Sequence, residues 1–383
     1  MAAVLDDRGL LARLIGFDTT SRASNLPLAD FLCEYLRRRG VRIVRNLSPD
    51  GTKTNLIVTA GPESSDREGL VLSGHMDVVP AEESDWRSDP FTMIDGGDRY
   101  IGRGTADMKG FLALAVNRFA SIDANSLRYP LVLLFTYDEE AGTIGAREFT
   151  ESFVHPEQLP RNAVIGEPTE LRVVRAHKGM LRLKLTFIGR AAHSGYPHLG
   201  RSAIEPAARA IIALTTLRRV METERLPNAE VFTAVPFVAL NIGTVNGGVA
   251  ANVIPDRCEL QLGIRLLPGM TAEAMTNRVV AAVREGGNDT VSTEVVSESP
   301  PMMLDSGAPI VRILCETADQ HTTESVMFAS DAGWFQRVGF DCVLFGPGSI
   351  EVAHRANEFI PVDQFHRAGD ILDRLIRRSC GPR

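Results

Sequence analysis

His75 and Asp77 stand two residues apart in Ser73-Gly74-His75-Met76-Asp77, directly after the apolar run 69–72. Alternate residues of an extended chain share a face, so the imidazole and the carboxylate would point to one side at the end of a buried strand. The pair suits a metal ligand with its orienting partner, and equally a satisfied polar pair. Asp107 lies in the glycine-rich stretch 102–110, ahead of a helix expected from Phe111. Alone, such an aspartate is an ordinary helix N-cap. The run 131–136 leads into Asp138-Glu139-Glu140. Three carboxylates after an apolar strand are costly unless they face water or a cation. Two adjacent glutamates can also divide labour, one on a metal and the other as a base. The run 163–165 ends in Gly166-Glu167, and 343–345 is followed by Gly346-Pro347-Gly348-Ser349 and His354. Parallel strands in one sheet would bring all these ends to one edge, where open α/β sheets place their ligands. Two histidines and several carboxylates suit a pair of borderline ions such as Zn²⁺, with too much nitrogen for Mg²⁺ or Ca²⁺. A bridging carboxylate would hold such ions about 3.5–4 Å apart.

The elements that must position these residues alternate. A helix is expected over 26–39, stopped by Gly40, with strands at 41–44, 55–59, 69–72, 131–136 and 163–165 and a helix over 111–120. Buried strands separated by helices imply an α/β sheet covered on both faces. The texture changes near Met180. Leu181, Leu183, Leu185 and Phe187 alternate with polar residues, as on a half-solvated strand. A helix over 202–223, strands at 238–245 and 257–266, a helix over 271–285 and a strand at 291–296 follow. Strand-helix-strand-strand-helix-strand is the order of a small ferredoxin-like α+β sandwich. The expected organisation is a discontinuous α/β domain, 1–180 and 295–383, with an α+β domain inserted at 181–294.

The 383-residue chain has a net charge of −7, which argues against a nucleic-acid phosphate binder. No run of 18 apolar residues suggests a membrane span. Asp6, Asp7 and Arg8 near the start do not resemble a secretory signal, and the five scattered cysteines suit a reducing cytoplasm.

Longer strings carry a resemblance: SGHMDVVP, GRGTADMKG, TYDEEAGTIGAREF, IGEPT, HKGM, AHSGYPHLGRSAIE, the segment from NIGTVNGG to IRLLPGM, and GPGSIEVAH. The chain resembles, over nearly its whole length, the co-catalytic zinc amidohydrolases. These include acetylornithine deacetylase, succinyl-diaminopimelate desuccinylase, aminoacylase and glutamate carboxypeptidase. The resemblance implies two Zn²⁺ ions, with Co²⁺ or Mn²⁺ able to substitute, in a zinc-peptidase-like mixed sheet sandwiched by helices. His75 and Glu167 would hold one ion, Glu140 and His354 the other, and Asp107 would bridge them. Asp77 would orient His75, and Glu139 would be the general base. An inserted lid would pair two copies as a homodimer, and His193 would reach the partner's site to stabilise the oxyanion. Arg265 would grip a substrate carboxylate, with Asn252, Lys178 and Ser349 as weaker substrate contacts. The implied substrate is a small N-acyl amino acid. HKGM, IRLLPGM and GPGSIEVAH resemble the deacetylase, implying release of acetate from N2-acetyl-L-ornithine in arginine biosynthesis. SDAGWF and HRANEF resemble the desuccinylase as well, and an acidic residue near Asp331 could meet the δ-amino group of ornithine. A non-catalytic metal- or peptide-binding relative is the reading from another class. The complete ligand set plus Glu139 counts against it, since a binder needs no base.

Overall fold

The computed structural model describes residues 5–63, 66–153, 155–287 and 291–381. The strands that matter to the site are β1 (Val41–Leu47), β2 (Thr54–Ala60), β3 (Leu70–His75), β4 (Leu131–Thr136), β5 (Asn162–Ile165), β6 (Val174–His177), β7 (Gly179–Ile188), β8 (Ala239–Gly247), β9 (Arg257–Leu266), β10 (Ser292–Ser299) and β11 (Asp341–Leu344). Backbone contacts divide the chain into two units. The first runs up to Arg175 and includes Leu304–Glu324 and the chain from Ser330. The second holds Ala176–Met303 and Ser325–Ala329. Positions 181 and 294, where the sequence texture changes, fall inside β7 and β10; each strand belongs whole to its sheet, so the division lies further out.

The first unit is built on a mixed sheet of order β1-β2-β4-β3-β5-β11-β6. Its centre, β4-β3-β5-β11, is parallel, β1 and β2 are antiparallel to their neighbours, and β6 is antiparallel to β11. Every residue of β3 and β4 is buried, as befits the apolar runs 70–72 and 131–135 on central parallel strands. Leu56, Leu72, Leu133 and Phe135 pack with Leu112 and Phe119 of the helix Gly110–Ser121 and Leu372 of the helix Val362–Cys380 in one core. Each such side chain contributes about 1.5–3 kcal/mol by leaving water. Register sets the site: His75 is level with Thr136, and Ser73 with Ile165. The parallel strands therefore end together, and the loops that follow them leave from one edge.

The helix expected over 26–39 stops earlier, at Leu36. Arg37 is already extended, and the Arg38 guanidinium turns away to donate to the carbonyls of Phe119 and Ile122. A tertiary contact at the end of another helix outweighs the local helical pattern.

The second unit is a four-stranded antiparallel sheet of order β8-β9-β7-β10 with the helices Ile204–Thr223 and Ala272–Glu285. Leu181, Leu183, Leu185 and Phe187 face a separate core with Leu214, Leu260, Leu262 and Val279. This is the ferredoxin-like arrangement expected from the element order.

Candidate metal centre

His75 ends β3 with its ring buried. Its Nε2 lies 2.9 Å from Asp107 Oδ1, and its Nδ1 lies 2.9 Å from the Asp77 backbone carbonyl. That carbonyl fixes a proton on Nδ1 and leaves Nε2 as the ligand atom. The Asp77 carboxylate, expected to orient His75, stands 3.6 Å from Nδ1 instead. It accepts hydrogen bonds from the Ser21 hydroxyl at 2.8 Å and from the amides of Glu139 and Glu140 at 3.1 and 3.2 Å. Asp77 therefore orients the ring through its main chain, while its carboxylate holds the loop that carries both glutamates.

Asp107 does not cap the helix that follows it, because that helix starts at Gly110 without a side-chain cap. Its carboxylate faces both histidines: besides His75, Oδ2 lies 3.3 Å from His354 Nε2. His354 Nε2 is also 2.9 Å from Glu140 Oε1. Asp138 and His354 hold positive φ values of 51° and 59°, conformations that aspartate and histidine adopt more readily than most residue types. Lys53 steadies the turn at Asp138 by pairing with its carboxylate and with the Ser21 carbonyl.

Two groups of potential ligands result, His75–Asp107–Glu167 and Asp107–Glu140–His354. Within each group the ligand atoms lie within 4.8 Å of one another. Asp107 is common to both, as a bridging ligand must be. The electrostatics point the same way. Burial and the charge of Glu167 push the Glu139 carboxyl well above its ordinary range. Burial and Asp107 do the same to Glu167, and lift Glu140 to about 7. Burial also opposes charge on Asp107, but hydrogen bonds with His354 and His75 outweigh it and hold Asp107 low. Burial disfavours a charged His75, yet the Asp107 hydrogen bond and the charges of Asp77 and Glu139 lift it well above the usual histidine range. The Asp107 and Glu140 hydrogen bonds push His354 up to about 10. Carboxylates this crowded call for added positive charge. Glu167 Oε1 is moreover buried with no hydrogen-bond partner among the described residues, the condition of a ligand oxygen awaiting a cation. The donor set fits two borderline divalent ions.

Asp331 stands by the same cluster. Thr136 Oγ1 donates to its Oδ2 at 2.5 Å, its Oδ1 has no partner among the described residues, and burial lifts it to about 6. Ser349 is half-buried, and its hydroxyl accepts from the Glu351 amide at 3.3 Å, within the turn that leads to His354. The remaining expected residues lie in the second unit. His193 and Asn252 are both exposed, on neighbouring backbone: Ser194 N donates to Asn252 O at 2.9 Å, and His193 bridges Val253. Arg265 and Lys178 line a cavity of about 340 Å³ with Val235, Ala239, Met327 and Phe328. The Arg265 guanidinium makes no hydrogen bond or ion pair among the described residues, and burial and Arg182 both disfavour its charge. Lys178 is not free to grip a ligand in the same way. Its ammonium donates to the carbonyls of Val235 and Phe237 at 2.6 and 2.7 Å, and burial lowers it to about 8. Ser21 and Lys53 carried no signal in the sequence, since each acts on a partner more than fifty residues away.

Parallel strand ends that converge two histidines and several carboxylates define a class, the α/β metal-dependent hydrolases. Sequence comparison sharpens it. A family model described as Peptidase family M20/M25/M40 matches residues 71–378, and the chain belongs to this family of hydrolases. An acetylornithine deacetylase of Myxococcus xanthus is 34% identical, with 98% of each chain aligned. One of Proteus mirabilis is 36% identical over 95% of this chain and 92% of its own. The fold matches that of an M20 family metallo-carboxypeptidase from Sulfolobus solfataricus at a TM-score of 0.79, with 18% identity and coverage of 97% and 99%. Among the described residues no helix is long and apolar enough to cross a membrane.

Proposed function

We propose that the protein is a zinc-dependent deacetylase that converts N2-acetyl-L-ornithine to L-ornithine and acetate. The observation that carries the chemistry is the pair of ligand groups sharing Asp107, with Glu139 beside them and bound to neither. Two Zn²⁺ ions held there would lower the pKa of water toward neutrality and act as a Lewis acid on the amide carbonyl. Asp77 holds the Glu139 amide, and so places the Glu139 carboxylate against the substrate. Glu139 takes the proton of the attacking water and returns it to the leaving amine nitrogen. The unpartnered Arg265 guanidinium suits the substrate α-carboxylate by its bidentate geometry. The free Oδ1 of Asp331 suits the side-chain ammonium of ornithine, and the deacetylase names of the relatives favour the acetyl group.

Two copies pair through the inserted unit, whose exposed Ile212, Val245 and Val249 favour burial against a second chain. His193 then serves the partner's site as an oxyanion donor. Light scattering should give twice 41.7 kDa, and a monomer that turns over at full rate rejects this part. Five unpaired cysteines fit a cytoplasmic enzyme.

The deciding experiment is a hydrolysis screen of the zinc-loaded protein with N2-acetyl-L-ornithine, other N-acetyl amino acids and N-succinyl-diaminopimelate. N2-acetyl-L-ornithine should give the highest kcat/KM. Turnover of another acyl amino acid without this one defeats the substrate assignment but not the chemistry. Two bound ions with no hydrolysis of any substrate defeats both.

A further inference from the structure

Arg103 and Glu358 form an ion pair with Nη1 and Oε2 2.9 Å apart and both side chains 1% exposed. Neither is among the potential ligands. A pair buried this deeply recovers its desolvation cost only when further hydrogen bonds complete it, and here they do. Glu358 Oε2 also accepts from the Gly104 amide at 3.0 Å, and Oε1 accepts from the Ala106 and Asp107 amides at 2.9 and 3.0 Å. Arg103 Nη1 also donates to the Arg355 carbonyl at 3.2 Å. Its Nη2 donates to the Pro80 carbonyl at 3.1 Å and to Glu83 Oε1 at 2.7 Å.

These contacts converge on the metal centre from outside it. Three amides of the loop that carries Asp107 hang on one carboxylate. The carbonyl next to His354 hangs on the guanidinium paired with it. Asp107 and His354 belong to one ligand group, yet they come from segments far apart in the chain. The ion pair ties those segments together in the buried interior, beside the Gly102 amide that donates to the Glu358 carbonyl at 2.9 Å.

From this arrangement we infer that Arg103 and Glu358 are a positioning pair. They fix the spacing of the Asp107 carboxylate and the His354 imidazole, and so set the affinity of the Asp107–Glu140–His354 group for its ion, without touching ion or substrate. The inference rests on the two-ion reading above.

The test follows zinc binding to metal-free protein by competition with a chromophoric chelator, and Co²⁺ loading by its visible absorption. Wild-type protein binds two ions; fewer overturns the two-ion reading whatever the variants do. Glu358→Gln keeps the shape but puts an NH₂ group at one of two oxygen positions that both face N–H donors. The weaker-bound of the variant's two ions should lose about tenfold to a hundredfold in affinity, and the Co²⁺ spectrum should change. Leu372→Ala opens a cavity in the buried face of the helix Val362–Cys380. It should lower the melting temperature and leave affinity and spectrum as in wild type, which separates positioning from general destabilisation. If Glu358→Gln does not fold, Arg103→Met/Glu358→Gln removes the uncompensated charge. Arg103→Lys keeps the charge but gives up the fork that makes four contacts. Both carry the same expectation. A Glu358 or Arg103 variant that folds and holds both ions as tightly as wild type, with an unchanged Co²⁺ spectrum, overturns the positioning role and leaves the two-ion reading intact.

Discussion

Two neighbouring glutamates of one loop reach different ends because of what each side chain faces. Glu140 lies against His354 and belongs to the Asp107–Glu140–His354 group, while Glu139 belongs to neither ligand group. A residue that acts only as a base can lose its basicity without loosening the ions. Glu139→Gln should therefore lower kcat by about 10²–10⁴-fold and leave two bound ions and the thermal melt unchanged. Hydrolysis rates with metal analysis on one preparation check this; loss of an ion would make Glu139 a ligand instead. The residue types at His75, Asp107, Glu139, Glu140, Glu167 and His354 were legible in the sequence because each follows an apolar run or opens a helix. The division of labour at Asp77 was not. Two atoms of one residue do separate jobs there, and only the fold shows that the carbonyl meets the ring while the carboxylate meets the next loop. The acceptors of the Lys178 ammonium were not legible for a related reason: Val235 and Phe237 lie far from it in the chain.

At the scale of elements, the strand ends and the helix Gly110–Ser121 must close on each other for Glu167 and Asp107 to share an ion. Gly166, between β5 and Glu167, has no room for a side chain. A Cβ there would sit 2.0 Å from ring carbons of Phe111, at the start of that helix. Gly166→Ala should destabilise the protein by about 1–3 kcal/mol through overpacking, measured by urea unfolding, and should weaken zinc binding as the helix shifts. Wild-type stability in that variant would show that the ring moves freely and that the packing does not set the site. The other element test lies on β6. His177 is fully buried, its Nδ1 donates to the Lys178 carbonyl at 3.0 Å, and burial lowers it to about 4. An unfolded histidine titrates near 6.5. Between those values the unfolded chain binds a proton that folded His177 refuses, so stability rises with pH across that window and falls on acidification. In metal-free protein, His177→Leu should flatten the decline of stability from pH 6.5 to 4. An unchanged slope would assign the acid limb to other groups. Strand patterns made these elements visible in the sequence: 131–136 and 257–266 were read at their observed bounds. The end of the first long helix was misplaced because Arg38 is claimed by carbonyls of another helix.

For the whole molecule, metal binding should be felt unevenly. The two units have separate apolar cores, and among the described residues both potential ligand groups lie in the first. An ion that binds only the folded form stabilises it by mass action, by about 4 kcal/mol when its free concentration is a thousand times Kd. Without ions, Glu139, Glu140 and Glu167 retain their mutual repulsion, and the first unit loses that gain. Both tryptophans, Trp86 and Trp334, also lie in the first unit, so their fluorescence reports on it alone. Trp334 is 4% exposed, with its indole N–H donating to Thr143 Oγ1 at 2.9 Å, close in sequence to the Glu139–Glu140 loop. Chelation should therefore lower the tryptophan-monitored melting temperature by several degrees, and added zinc should restore it. Amide exchange in β7, β9 and the helix Ile204–Thr223 should change far less, because those hydrogen bonds are protected by a core that holds no ligand. Equal loss of protection in both units on chelation would mean that they unfold as one cooperative body, and the metal would then be stabilising the entire chain. An unmoved tryptophan melt would count against metal binding in the first unit at all, since linkage leaves no way for a tightly held ion to be thermally silent there.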